Sequence, residues 1–174
     1  MNIPETYSYL TRARRDLWAA LEATPDEVLS RPVLSGSRFH SIKDLVLHIP
    51  AVEDSWIHED LLADAPVWER VPAIQGAEDG PVYAAFPLEA LLDYWRQVEA
   101  STQTYLGRLT PAELAREVVV NGSEGEERFT VDGLLWHVLI HEMRHTAQIA
   151  VLLRQAGIKP PFLDLLNYLP VTQK

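Results

Sequence analysis

Residues 134–157 read LLWHVLIHEMRHTAQIAVLLRQAG. The stretch holds no proline, ends on Gly157, and is followed by Pro160 and Pro161. That pattern predicts one long helix from about Val131 to Ala156, stopped by a glycine. At ~100° per residue, Leu134, Val138, His141, His145, Gln148 and Leu152 share a face, so this is the inward stripe. His141 and His145 project ~40° apart, a spacing that lets two imidazoles bind one metal ion. His137 stands one turn earlier, near that face.

HEMRH (141–145) also fits H-E-x-x-H, the zinc-protease signature in which the glutamate acts as base. The context does not follow. A third ligand normally comes from further down the chain, yet no His or Glu follows His145, and the only carboxylate side chain there is Asp164. Glu142 is rotated ~100° from His141 and ~60° from His145. A zinc hydrolase of this type is therefore the minor reading, and the motif's two histidines count for more than its glutamate.

Three further helices are legible. The first spans about 4–22, with Tyr7, Leu10, Leu17, Trp18 and Leu21 as its buried stripe. TPDE (24–27) reads as a capping box opening a short helix, and LSGSRF as loop. Ser41 and Asp44 form a second capping box, opening a helix that carries Leu45, His48, Val52 and Trp56 toward Leu62. Pro50 lies inside it, where a missing backbone N–H predicts a kink beside His48. Pro87 opens the next helix, about 87–107. Between them, about 65–87, proline and glycine mark an irregular crossover. TPAEL (110–114) is one capped turn, and the valines at 118–120, Asn121-Gly122 and Phe129 suggest a small hairpin. The fold class is all-α: a single domain over 1–174, a four-helix bundle with long crossovers and a β-hairpin before the last long helix.

His48 shares a helix face with Leu45 and Val52, so a further histidine points to the core. A buried cluster of unpaired imidazoles is costly without a ligand, which favours a metal.

The composition narrows the classes. The 174 residues hold 47% hydrophobic and 23% charged residues, an ordinary globular balance. The chain has no cysteine, which excludes disulfides, thiolate ligands and a Cys nucleophile. No apolar run suits a membrane span and no signal peptide is legible, so a cytoplasmic location is expected. The net charge of −10 argues against nucleic-acid binding. Arg12, Arg14 and Arg15, the densest basic run, read as a solvated helix face.

SIKDLVLHIPAVEDSW (41–56) and LLWHVLIHEMRHTAQIAVLLRQAG together resemble the DinB/YfiT-like superfamily of helical-bundle metalloproteins. The pattern is a lone His in the second long helix, then H-x-x-x-H in the last, followed by Gln148 and the pair Leu153-Arg154. The resemblance covers nearly the whole chain. It implies a divalent metal on His48, His141 and His145: zinc first, with nickel, iron, cobalt or manganese as alternatives. His137 and Gln148 would then line the pocket or support the ligands. Family members include thiol S-transferases, which implies a metal-dependent transferase or hydrolase acting on small molecules in stress or detoxification. A low-molecular-weight thiol would be the cosubstrate. Glu142, Glu59 and Arg144 are the candidates for proton transfer or anchoring, although Glu59 reaches the His48 face only if its helix stays regular. The alternative is a non-catalytic, metal-stabilised binding module. The back of the last helix (Trp136, Leu139, Ile140, Met143, Ala147, Ala150) is apolar enough to predict a homodimer.

Overall fold

The computed structural model describes residues 1–33, 39–76, 85–122 and 125–170. Most of the loop at 34–39, residues 77–84 of the crossover and the hairpin turn at 123–124 lie outside them. The elements run α1 (Ile3–Glu22), α2 (Asp26–Ser30), α3 (Ile42–Asp54), α4 (Leu88–Leu106), α5 (Pro111–Leu114), β1 (Glu117–Gly122), β2 (Gly125–Thr130) and α6 (Val131–Gln155). The four long helices α1, α3, α4 and α6 form the bundle, and no helix among the described residues is long and apolar enough to cross a membrane.

The caps set the helix starts. Asn2 and Ser41 each accept the N–H three residues on and receive the Glu5 or Asp44 carboxylate in return, both complete capping boxes. The expected box at TPDE does not form. Pro25 takes the N-cap place, and the Thr24 hydroxyl donates to the Ala20 carbonyl at 2.7 Å. The hydroxyl thus turns back to the end of α1, and no side chain caps α2. α6 ends as predicted, with Gly157 left-handed at φ 80°. β1 and β2 pair antiparallel, and Asn121 and Gly122 continue the strand, Gly122 opposite Gly125. Asn121 and Gly122, expected as the turn, are strand residues instead.

α3 runs through Pro50 to Asp54 and then widens into a π-helix over Ser55–Leu62. Pro50 gives no N–H to the Val46 carbonyl, and the i→i+5 turns that follow shift the side chains out of α-helical register. Glu59 is the consequence: it is exposed and accepts the Ser55 hydroxyl at 2.6 Å. His58, one residue earlier, is buried.

Asp54 ties this segment down. Its carboxylate accepts Val67 N–H at 2.9 Å, Trp68 N–H at 3.0 Å and Tyr94 O–H at 2.7 Å, and lies 2.7 Å from His58 Nδ1. His58 Nε2 is 2.7 Å from Ser101 Oγ on α4. The order Ser–His–Asp matches a hydrolytic triad, but Ser101 stands in the middle of α4, where the backbone N–H groups are committed to the helix. The chain of bonds therefore pins the π-helix to α4. The Asp54 hydrogen bond raises the His58 pKa against the opposing effect of burial. A raised folded-state pKa stabilises fully below the ordinary histidine value of about 6.5 and loses that contribution as pH rises through the folded value. Thermal melts should therefore show a wider gap between wild type and His58→Gln at pH 6 than at pH 9; equal gaps would remove the ionic contribution.

The core holds two apolar clusters. One centres on Leu17, Leu45, Ile49 and Trp95; the other on Tyr7, Leu10, Ile57, Leu134 and Leu139. Arg14 joins them, its guanidinium 5.2 Å from the Trp95 ring and 5.3 Å from the Tyr7 ring. The reading of Arg14 as part of a solvated face is thus corrected: it is 1% exposed. Its place one turn from both Leu10 and Leu17 puts it on the apolar stripe of α1. Arg14 donates to both oxygens of Glu142 at 2.9 and 2.6 Å, to Glu99 at 2.7 Å, and lies 3.6 Å from Glu53. Arg15 adds a second ion pair to Glu99, and Tyr7 O–H donates to Glu53 at 2.6 Å. Burial lowers the Arg14 pKa, but Glu142, Tyr7 and Glu53 outweigh it and hold the guanidinium more basic than usual. Burial also raises the Glu53 carboxyl, opposed by Arg14.

Candidate metal centre

α3 and α6 pack together in the bundle and bring His48 against His141 and His145. Each of the three offers a ring nitrogen, and these nitrogens lie within 4.8 Å of one another. His48 Nε2 and His141 Nε2 are 3.0 Å apart. Two nitrogens bound tetrahedrally at 2.0–2.1 Å would stand about 3.3 Å apart, so small ring movements suffice to close the group on one ion. The ring centroids are 4.4–4.9 Å apart and the rings are tilted or edge-on to one another, so none stacks flat over another's lone pair.

His145 shows why the group suits a cation. Its Nδ1 sits 2.6 Å from Gln148 Oε1, an acceptor, so Nδ1 holds the proton and Nε2 is left with a lone pair. That Nε2 is buried and finds no hydrogen-bond partner among the described residues. A buried nitrogen lone pair is costly unless something accepts it, and a cation answers that need. Burial, reinforced by His145, His48, His137 and Arg144, pushes the His141 pKa down to about 3. Burial lowers His145 too, against the Gln148 hydrogen bond. At neutral pH both are neutral imidazoles, the form that binds metals. Carboxamide support of this kind usually contributes about 10–100-fold in metal affinity. Gln148→Ala should therefore weaken zinc binding in calorimetry by that factor while keeping one site per chain, and an unchanged affinity would remove Gln148 from the site.

The other candidates separate. His137 is exposed; its ring centroid is 6.0 Å from His141 and 5.5 Å from Trp56, and it is not among the grouped ligands. Arg144 is exposed, close enough for its charge to depress both imidazoles. Glu142 is corrected as a base. It is 2% exposed, and both oxygens are engaged by Arg14 on the core side of α6. A zinc-protease base must reach a water beside the ion, so the HEMRH glutamate has a structural partner instead. Glu59 is corrected as well, since the π-helix leaves it exposed and bonded to Ser55.

Three features escaped the sequence reading. The Phe39 ring lies 4.1 Å from the His48 ring and 6.1 Å from that of His145, covering the ligands. An aromatic just ahead of a capping box is the available signal, since such residues fold back onto the helix. A cavity of about 610 Å³ opens beside His48, between α3 with its π-helical extension, the crossover, α4 and β1. Trp56, Trp68 and Tyr94 line it, as do Val119, Val120 and Asn121 of β1. The crossover and hairpin thus wall the space next to the imidazoles. Asp60, also in its lining, continues the four-residue spacing of His48, Val52 and Trp56, and that spacing was the available signal.

A family model described as the DinB family matches residues 1–174. No curated protein sequence matches the chain. Among solved structures, a conserved protein from Enterococcus faecalis superposes with a TM-score of 0.69 at 18% identity, covering 88% of this chain and 96% of that one. YfiT from Bacillus subtilis, described as a probable metal-dependent hydrolase with an unusual four-helix bundle topology, superposes with a TM-score of 0.65 at 20% identity, covering 90% of this chain and 89% of its own. At such identities these likenesses bear on the fold, and the fold agrees with the full-length family match: the chain belongs to the DinB family.

Proposed function

We propose that this chain is a divalent-metal-dependent enzyme acting on small molecules, a transferase that uses a low-molecular-weight thiol or a related hydrolase. The observation that carries the reading is the buried, unpartnered Nε2 of His145 beside His48 and His141, next to a cavity of about 610 Å³. His48, His141 and His145 would hold the ion. When bound, a divalent cation with three neutral ligands keeps its full charge and supplies Lewis acidity, lowering the pKa of a thiol or water that ligates it.

The remaining work falls to the chain. Gln148 fixes the His145 tautomer and Phe39 holds the His48 ring. Trp56, Trp68 and the valines of β1 give the substrate space apolar walls, which would receive the apolar part of a substrate. Asn121 and Ser55 offer hydrogen bonds at the cavity wall. A second copy would pair along the exposed side of α6, where Ile140 and Val151 remain 57% and 49% exposed, while Leu139 is buried and Met143 and Ala150 are half-buried. A bimane-transfer assay with several cellular thiols tests the catalytic reading. The expected result is turnover that chelator abolishes, metal restores and His145→Ala removes. Activity that survives both chelator and His145→Ala would overturn the metal role, and no turnover in metal-loaded protein would favour a binding module.

A further inference from the structure

The cavity beside His48 has an uneven chemistry. Two indoles, Trp56 and Trp68, and the Tyr94 ring form its walls. Asp60 is the only side chain of fixed charge in its lining among the described residues. Asp60 is half-buried, and no hydrogen bond or ion pair engages its carboxylate among the described residues. Trp56 and Asp60 both stand on the π-helix. The i, i+4 spacing puts the carboxylate and the indole on one face of that helix.

An unpaired carboxylate next to aromatic faces is the arrangement that receives an organic cation. The carboxylate supplies charge, the indole faces supply cation–π attraction, and the apolar surface accepts the rest of the molecule. No lysine or arginine lines the cavity among the described residues, so its side chains offer an anionic group no counter-charge away from the imidazoles. The chain's charge of −10 acts in the same sense. Burial, and secondarily Glu59, raises the Asp60 pKa, as expected of a carboxylate that lacks a counter-charge.

We propose that this cavity selects substrates bearing an ammonium group on an aromatic or apolar body, with Asp60 as the anchor and Trp56 as the facing wall. This deepens the reading of the site as an enzyme's substrate pocket. The metal ligands and the cation anchor are different residues, so the two can fail separately.

The test is equilibrium binding, followed by tryptophan fluorescence and calorimetry, on metal-free full-length protein. The probes are 2-phenylethylammonium, the neutral 2-phenylethanol and the anionic 3-phenylpropanoate. The cation should bind at least tenfold more tightly than the anion, with the alcohol between them. Asp60→Asn should bring the cation to the level of the alcohol. Trp56→Leu should weaken cation and alcohol alike. Glu59→Gln removes the same charge one residue away, on the exposed side, and should leave the preference intact. Equal binding of cation and anion to wild type would overturn the proposal. So would an unchanged preference in Asp60→Asn, or a loss in Glu59→Gln as large as that in Asp60→Asn, since that would reduce the effect to bulk surface charge. Metal content, measured on the same preparation after zinc loading, reports separately on the imidazole group: cation selectivity without zinc uptake would sink the metal reading and leave this one standing.

Discussion

Replacing Arg14 by methionine should unfold most of the protein or lower its melting temperature by about 6–20 °C. The guanidinium is 1% exposed and serves Glu142, Glu99 and Glu53, all buried. Removing it leaves those carboxylates with Arg15 as the remaining cation, which reaches Glu99 alone, while Glu53 keeps the neutral Tyr7 hydroxyl. Breaking a buried pair from one side costs about 3–5 kcal/mol, because the abandoned charge stays in a low-dielectric site. Against a net stability of about 5–15 kcal/mol, that is a large share. Arg14→Lys should lose less, since it keeps the charge but not the fork that grips both oxygens of Glu142. Adding Glu142→Gln to Arg14→Met should restore part of the loss, because it removes one stranded charge. A melting temperature within 2 °C of wild type for Arg14→Met would mean that the network contributes little to stability.

The second large effect concerns the imidazoles. Zinc at 100 times its dissociation constant should stabilise wild type by about 2.7 kcal/mol, a rise of about 5–11 °C at this chain length. His141→Ala should abolish that rise. Its own melting temperature without metal should stay within about 2 °C of wild type, because His141 is half-buried and belongs to neither apolar cluster. Scanning calorimetry with and without zinc reads both quantities. A variant that gains as much from zinc as wild type does would place the binding elsewhere. The two predictions also separate the two halves of HEMRH: Glu142 pairs with Arg14 in the core, while His141 and His145 are the proposed ligands.

Much of this architecture was legible before any coordinates. Periodicity and caps located the long helices, and the i, i+4 histidines with His48 pointed to three imidazoles that the fold does bring together, because apolar stripes and imidazole spacing are local or nearly local signals. The misreadings share a physical origin. Arg12, Arg14 and Arg15 look alike as a charge run, yet the helical repeat carries only Arg14 onto the stripe of Tyr7, Leu10 and Leu17. Its partners come from three other helices, so nothing near it in sequence announces the pairing. Glu142 was misleading for the same reason, its role being set by a residue 128 positions away. Glu59 left the His48 face because the helix beyond Asp54 widens, and a shift in helical period leaves no mark in a hydrophobicity pattern. Thr24 does not cap α2 because its side chain turns back to the Ala20 carbonyl at the end of α1, leaving Pro25 at the N-cap place.

The central claim is that His48, His141 and His145 together hold one divalent ion. X-ray absorption spectroscopy on zinc-loaded, tag-free protein tests it most directly, because imidazole rings leave outer-shell scattering that carboxylates and water do not. The expected spectrum is a first shell of light atoms at about 2.0–2.1 Å with the scattering of three imidazoles, falling to two in His145→Ala. A zinc shell of carboxylate and water oxygens without imidazole scattering, or a spectrum that His145→Ala leaves unchanged, would contradict it.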